Sequence, residues 1–102
     1  MRLTPEQAAI IRSAAAEVFG SDARVWLFGS RVDDSRRGGD IDLLLQTGLT
    51  QPDELVRASI ELMARLYRAL GEQKIDLVLD SPAHVANNRD LVATARASGV
   101  PL

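Results

Sequence analysis

Leu27-Phe28-Gly29-Ser30-Arg31, eight intervening residues and then Asp40-Ile41-Asp42-Leu43 form the stretch on which the reading of this chain turns. Arg24 to Phe28 is a short apolar run bounded by turn residues, the pattern of a buried strand, and Gly29-Ser30 ends it. Residues 31–39 are polar and charged and close on Gly38-Gly39, which predicts a loop. A second strand opens at Asp40, alternating at its start and apolar at its end. Successive side chains on a strand point to opposite faces, so Asp40 and Asp42 share one face while Ile41 and Leu43 take the other.

Outward from this stretch, helices and one further strand follow. Thr4-Pro5-Glu6-Gln7 reads as a helix start, with Thr as N-cap, Pro at the first helical position and Gln closing a capping box. Ile10, Ile11, Ala14, Ala15 and Val18 recur at helical spacing, and Gly20 stops the run. Thr50 to Asp53 marks another helix start, with Pro52 in its first turn. Leu55, Ala58, Leu62, Leu66 and Leu70 form its apolar stripe, Ile60, Met63 and Tyr67 widen it, and Gly71 ends it. Lys74 to Leu79 is a third strand whose core face is Ile75, Leu77 and Leu79, so Asp76 projects the other way with Val78 and Asp80. Asn88 is a cap for a last short helix from Arg89 to about Ala97, ended by Gly99.

The order αβ-loop-βαβα, without repeats or linkers, predicts one domain over residues 1–102 of the α/β (α+β) class, a small three-stranded sheet packed by helices. The short link between the first two strands allows an antiparallel pair, and the helical link to the third allows a parallel crossover. Strand order stays open.

Composition narrows the function. Apolar residues make up 46% of 102 residues and only four are aromatic, so the core is aliphatic. Twelve basic against 14 acidic residues give a net charge of −2, which argues against bulk nucleic-acid binding. Eleven of the 12 basic residues are Arg, suited to bidentate phosphate contacts, so a local phosphate site remains open. With no Cys there is neither a disulfide framework nor a thiolate metal site. The start MRLTPEQAAI has no apolar signal core, and no run approaches the ~20 residues that span a bilayer, so the expectation is a cytoplasmic protein without a membrane segment.

Two carboxylates on one face at the head of an apolar strand repel each other and lose hydration, and a divalent cation answers that need. Mg²⁺ takes hard oxygen ligands and keeps waters and phosphate oxygens in its shell. Asp76 comes within reach of the same point if its strand neighbours the second. Three such carboxylates can hold two metals ~3.5–4 Å apart, the arrangement for in-line displacement at phosphorus. Gly29 lets backbone approach a phosphate, Ser30 offers a hydroxyl and an N–H, and Arg31, Arg36 and Arg37 can neutralise further charge. Each signal alone has an ordinary structural reading: an Asp-x-Asp is often a solvated strand end, Gly-Ser a turn, and Asp76 an exposed residue paired with an Arg. Their conjunction in this order is the informative feature.

That conjunction resembles the signature of the DNA polymerase β-type nucleotidyltransferase superfamily, over nearly the whole chain. The size is similar to the minimal nucleotidyltransferases, many of which act as antitoxins beside a small all-helical HEPN-domain toxin. The resemblance implies a polymerase β-like core in which Asp40 and Asp42 ligate both metals. Asp76 then binds the catalytic metal and helps deprotonate the attacking hydroxyl, and Gly29, Ser30 and Arg31 form the nucleotide-holding turn. One departure is Gly39, where this group often has Ser before the first aspartate. The implied reaction moves a nucleotide, AMP from ATP, to a hydroxyl, with a Tyr of a HEPN-type partner as acceptor in a hetero-oligomer.

Two other functions compete. A non-catalytic antitoxin would neutralise its partner by covering it, with exposed apolar positions of the Leu55–Leu70 helix or the final segment as interface. A small-molecule nucleotidyltransferase ranks last, because such relatives generally carry an additional helical domain for the acceptor; a second pocket beside the metal site would revive it. Asp33 and Asp34 read as solvated or paired with Arg36 or Arg37, Asp80 as a turn former, His84 as too isolated for a histidine site, and Trp26 as core. Met63 and Tyr67 suit core or a partner interface.

Overall fold

The computed structural model describes residues 3–29, 40–71, 73–82 and 89–102. Ser30, Arg31, Asp33, Asp34, Arg36, Arg37, Gly38, Gly39, His84 and Asn88, all given roles above, lie outside the described residues. Seven elements follow in order: α1 (Pro5–Phe19), β1 (Arg24–Phe28), β2 (Ile41–Gln46), α2 (Pro52–Leu70), β3 (Ile75–Asp80), α3 (Arg89–Ser98) and β4 (Val100–Pro101). The class is mixed α+β.

Helix α1 starts as its sequence requires. The Thr4 hydroxyl accepts from the Gln7 N–H at 3.0 Å and the Gln7 side chain accepts from the Thr4 N–H at 3.0 Å, a reciprocal capping box with Pro5 at the first position. Helix α2 differs at its start. Its N-cap is Gln51, within the expected Thr50 to Asp53 start, and no side chain caps it. Pro52, which lacks an N–H, and the first-turn carboxylates Asp53 and Glu54, which suit the positive helix end, take over that role.

The sheet has four strands rather than three, in the order β3-β2-β1-β4. Strand β1 runs antiparallel to both β2 and β4, and β2 runs parallel to β3, as the two link types allow. The additional strand is two residues long and includes Pro101, so it carries neither a period nor a full set of donors. It is held by Trp26↔Pro101 and Leu27↔Val100 pairing and by the Leu102 N–H donating to the Val25 carbonyl at 2.9 Å. Gly99 makes the turn possible, because a Cβ there would run into the Ala95 and Leu27 carbonyls.

Alternation divides the sheet into two faces. Val25, Leu27, Ile41, Leu43, Leu45 and Ile75 are buried together with Ile11, Ala15 and Phe19 of α1 and Leu55, Ala58, Leu62 and Leu66 of α2. On the second face, register lays out three rows: Phe28, Asp42 and Asp76, then Trp26, Leu44 and Val78, then Arg24, Gln46 and Asp80. Helix α3 packs on this second face, where Ala95 and Leu44 are fully buried. Trp26 is therefore not in the main core. It is half-buried on the second face with the Arg96 guanidinium 5.6 Å from its ring centroid. Arg96 also pairs with Asp80, which gives Asp80 a partner in α3 rather than a turn-forming role.

Candidate active site

The first of the three rows is where two of the three expected carboxylates, Asp42 and Asp76, fall side by side. Ile41 pairs with Ile75 and Asp42 with Asp76 across the parallel ladder, and the Ile41 N–H donates to the Lys74 carbonyl at 2.9 Å. Two tripeptides, Asp40-Ile41-Asp42 and Lys74-Ile75-Asp76, thus lie side by side with their isoleucines sunk into the core. Pinned at their centres, the flanking residues have no choice but to project from the opposite face. Asp42 and Asp76 fall level with each other, and Asp40 falls level with Lys74.

Each side chain finds a different environment. Asp42 is half-buried and Asp76 exposed. Partial burial pushes the Asp42 carboxyl above its ordinary range, the negative charges of Asp76 and Asp40 push it further, and a carboxyl–carboxyl hydrogen bond with Asp76 adds to this. Only the charge of Lys74 opposes the shift. The Asp40 carboxylate takes Lys74 Nζ at 3.3 Å, and that contact leads the causes that raise the Lys74 ammonium above the usual lysine value.

Lys74, which the sequence presents only as the start of the third strand, stands in the candidate site as the partner of Asp40. Its signal was present, since it is the single lysine of the chain and stands two residues before Asp76, hence on the same face. What the sequence lacks is the register that brings it opposite Asp40.

Gly29 meets this row from β1. Phe28 pairs with Asp42, and the next residue leaves the strand at φ +75°, a left-handed conformation that glycine adopts without strain. A Cβ at Gly29 would overlap the Asp42 carboxylate. The bend and the carboxylate therefore share one small volume. Of the expected site residues, the structure brings together Gly29, Asp42 and Asp76 and sets Asp40 beside them on Lys74. Ser30 and Arg31 lie outside the described residues.

Among the described residues, no three or more His, Cys, Asp or Glu side chains converge as a ready-made metal cage. The donor chemistry nevertheless fits a hard divalent cation. All candidate ligands are carboxylate oxygens, and Asp42 is held above its ordinary pKa by the crowding that a cation would relieve. Mg²⁺ completes its shell with water and substrate oxygens and does not need a full protein cage.

No family model matches the chain, and no curated protein matches it. Among the described residues no helix is long and apolar enough to cross a membrane.

Proposed function

We propose that the chain is a nucleotidyltransferase that uses Asp40, Asp42 and Asp76, with the Gly29 bend, to move a nucleotide from a nucleoside triphosphate to a hydroxyl. The observation that carries this reading is the level pairing of Asp42 with Asp76 beside a left-handed glycine that leaves no room for a Cβ.

Mg²⁺ held by Asp40, Asp42 and Asp76 would neutralise triphosphate charge and lower the pKa of the acceptor hydroxyl. The remaining work falls to the chain itself. Gly29 admits the phosphates close to the backbone, and the resemblance adds Ser30 and Arg31 as nucleotide-binding residues. Asp76 takes the hydroxyl proton in this reading, and its exposure to solvent supports that role. The acceptor oxygen forms a bond to the α-phosphorus, the bond to the β-phosphate oxygen breaks, and pyrophosphate leaves. Lys74 pairs with one oxygen of the Asp40 carboxylate, so its ammonium would compete with a cation for that oxygen.

The resemblance to minimal nucleotidyltransferases favours ATP as donor and a Tyr on a HEPN-type helical partner as acceptor. A carboxylate row with Asp76 exposed at its end suits an acceptor delivered by another molecule. Co-expression with a neighbouring helical protein, followed by mass spectrometry, tests this reading. The expected result is one or more added AMP groups on the partner, absent with Asp42→Ala. A partner neutralised equally well by a chain lacking all three carboxylates would instead establish neutralisation by covering alone.

A further inference from the structure

One ammonium stands in the field of three carboxylates. The parallel register, carried one pair back from Ile41↔Ile75, sets Lys74 level with Asp40, on the face that Asp42 and Asp76 share. Its Nζ lies 3.3 Å from an Asp40 carboxylate oxygen, and the charges of Asp76 and Asp42 act on it as well. Among the described residues it is the only cation that acts on Asp42.

That cation is a lysine in a chain whose other 11 basic residues are arginine. The difference bears on how firmly Asp40 is held. Arg65 spans Glu17 and Glu61 with two nitrogens of its planar fork. An ammonium is a point charge on a flexible stem, without a second arm. The Lys74 side chain is 70% exposed, so little packing anchors it, and ion pairs this open to water are weak. Lys74 can therefore leave Asp40 at small cost.

We propose, on the nucleotidyltransferase reading of this row, that Lys74 couples the binding of the cation to the binding of the triphosphate. In the metal-free chain Lys74 holds Asp40, and it turns to phosphate when both ligands arrive. The sign of its effect differs between the two events. A divalent cation that comes alone competes with the ammonium for Asp40 and leaves it beside a like charge, so Lys74 opposes that binding. A cation that comes with a triphosphate brings anionic oxygens that accept the displaced ammonium, so Lys74 favours that binding. The site then fills with metal and triphosphate together rather than with metal first. By linkage each ligand raises the affinity for the other, and Lys74 carries part of that coupling. A salt bridge that merely kept Asp40 in place would act on both events with the same sign.

Calorimetry of the full chain tests this. The probes are Mn²⁺, a cation with the same preference for oxygen ligands, and α,β-methylene-ATP, a triphosphate that cannot be cleaved at the α-phosphorus. Mn²⁺ alone and the Mn²⁺–analogue complex are titrated into the natural chain, Lys74→Met and Lys74→Arg. Methionine removes the charge at an exposed position, so the fold is expected to stay intact. Lys74→Met is expected to bind Mn²⁺ alone about three-fold tighter and the complex about three-fold more weakly, the scale of an exposed charge pair. Lys74→Arg keeps the charge and is expected to bind the complex as the natural chain does, and Mn²⁺ alone no tighter. If the natural chain binds the complex and Lys74→Met leaves both affinities unchanged, the inference is overturned and the reading of the site stands. Two affinities that shift in the same direction also overturn it, by making Lys74 only a structural partner of Asp40. If neither the natural chain nor Lys74→Met binds either ligand, the inference falls together with the reading beneath it.

Discussion

Burial and the charges of Asp76 and Asp40 make Asp42 hold its proton more tightly in the folded chain than in the unfolded one. For an acid with a raised folded pKa, the linkage sign is fixed. The folded state is favoured below the ordinary value of 3.8, and that advantage is lost as pH rises through the raised value. Asp42→Asn is therefore expected to stabilise the metal-free protein at pH 7 by about 1 kcal/mol or less, the scale of partly solvated charge pairs. Thermal unfolding at pH 7 and near pH 3 checks this, with a higher melting temperature at neutral pH and none of the gain in acid. Mg²⁺ should raise the melting temperature of the natural chain and leave that of Asp42→Asn nearly unchanged. Gly29→Ala acts on the same volume from the other side. It introduces a Cβ at φ +75° and displaces the Asp42 carboxylate, so a loss of about 1–2 kcal/mol in stability is expected together with a loss of Mg²⁺-dependent nucleotide binding. An unchanged melting temperature would show that the bend relaxes freely.

Helix α2 presents two sides with different energetic weight, and substitutions separate them. Leu66 is fully buried, and Leu66→Ala is expected to cost about 2–5 kcal/mol by denaturant unfolding. Ile60 is largely exposed, and Ile60→Ala should stay within about 0.5 kcal/mol. At the start of α1, Thr4→Ala removes one half of the capping box and is expected to cost about 1 kcal/mol. Elements of this length were legible in the sequence because periodicity and caps act locally: the buried stripe of α2, the capping box of α1 and the facing of Asp40 and Asp42 all follow from spacing. What was not legible depends on partners distant in sequence. The two-residue β4 has too little sequence to carry a period and exists only because β1 offers it an edge. Trp26 reads as core from its neighbours, yet among the described residues the second face of the sheet receives only the short α3. Asp80 reads as a turn residue, yet Arg96 lies across the sheet to meet it.

At the scale of the whole molecule, the sheet separates the aliphatic core from the candidate site. One face is aliphatic and sealed by α1 and α2, while the other carries Asp42 and Asp76 in its first row and α3 farther along. The parallel β2–β3 ladder is what converts two separate acidic stretches into one site, since register alone sets Asp42 beside Asp76. Titration of Mg²⁺ and ATP into the purified chain by calorimetry, beside a variant in which Asp40, Asp42 and Asp76 are all Ala, bears most directly on this site. The expected result is saturable ATP binding that requires Mg²⁺ and is lost in the triple variant. ATP that fails to bind with any divalent cation, or binds equally well without the three carboxylates, would contradict it.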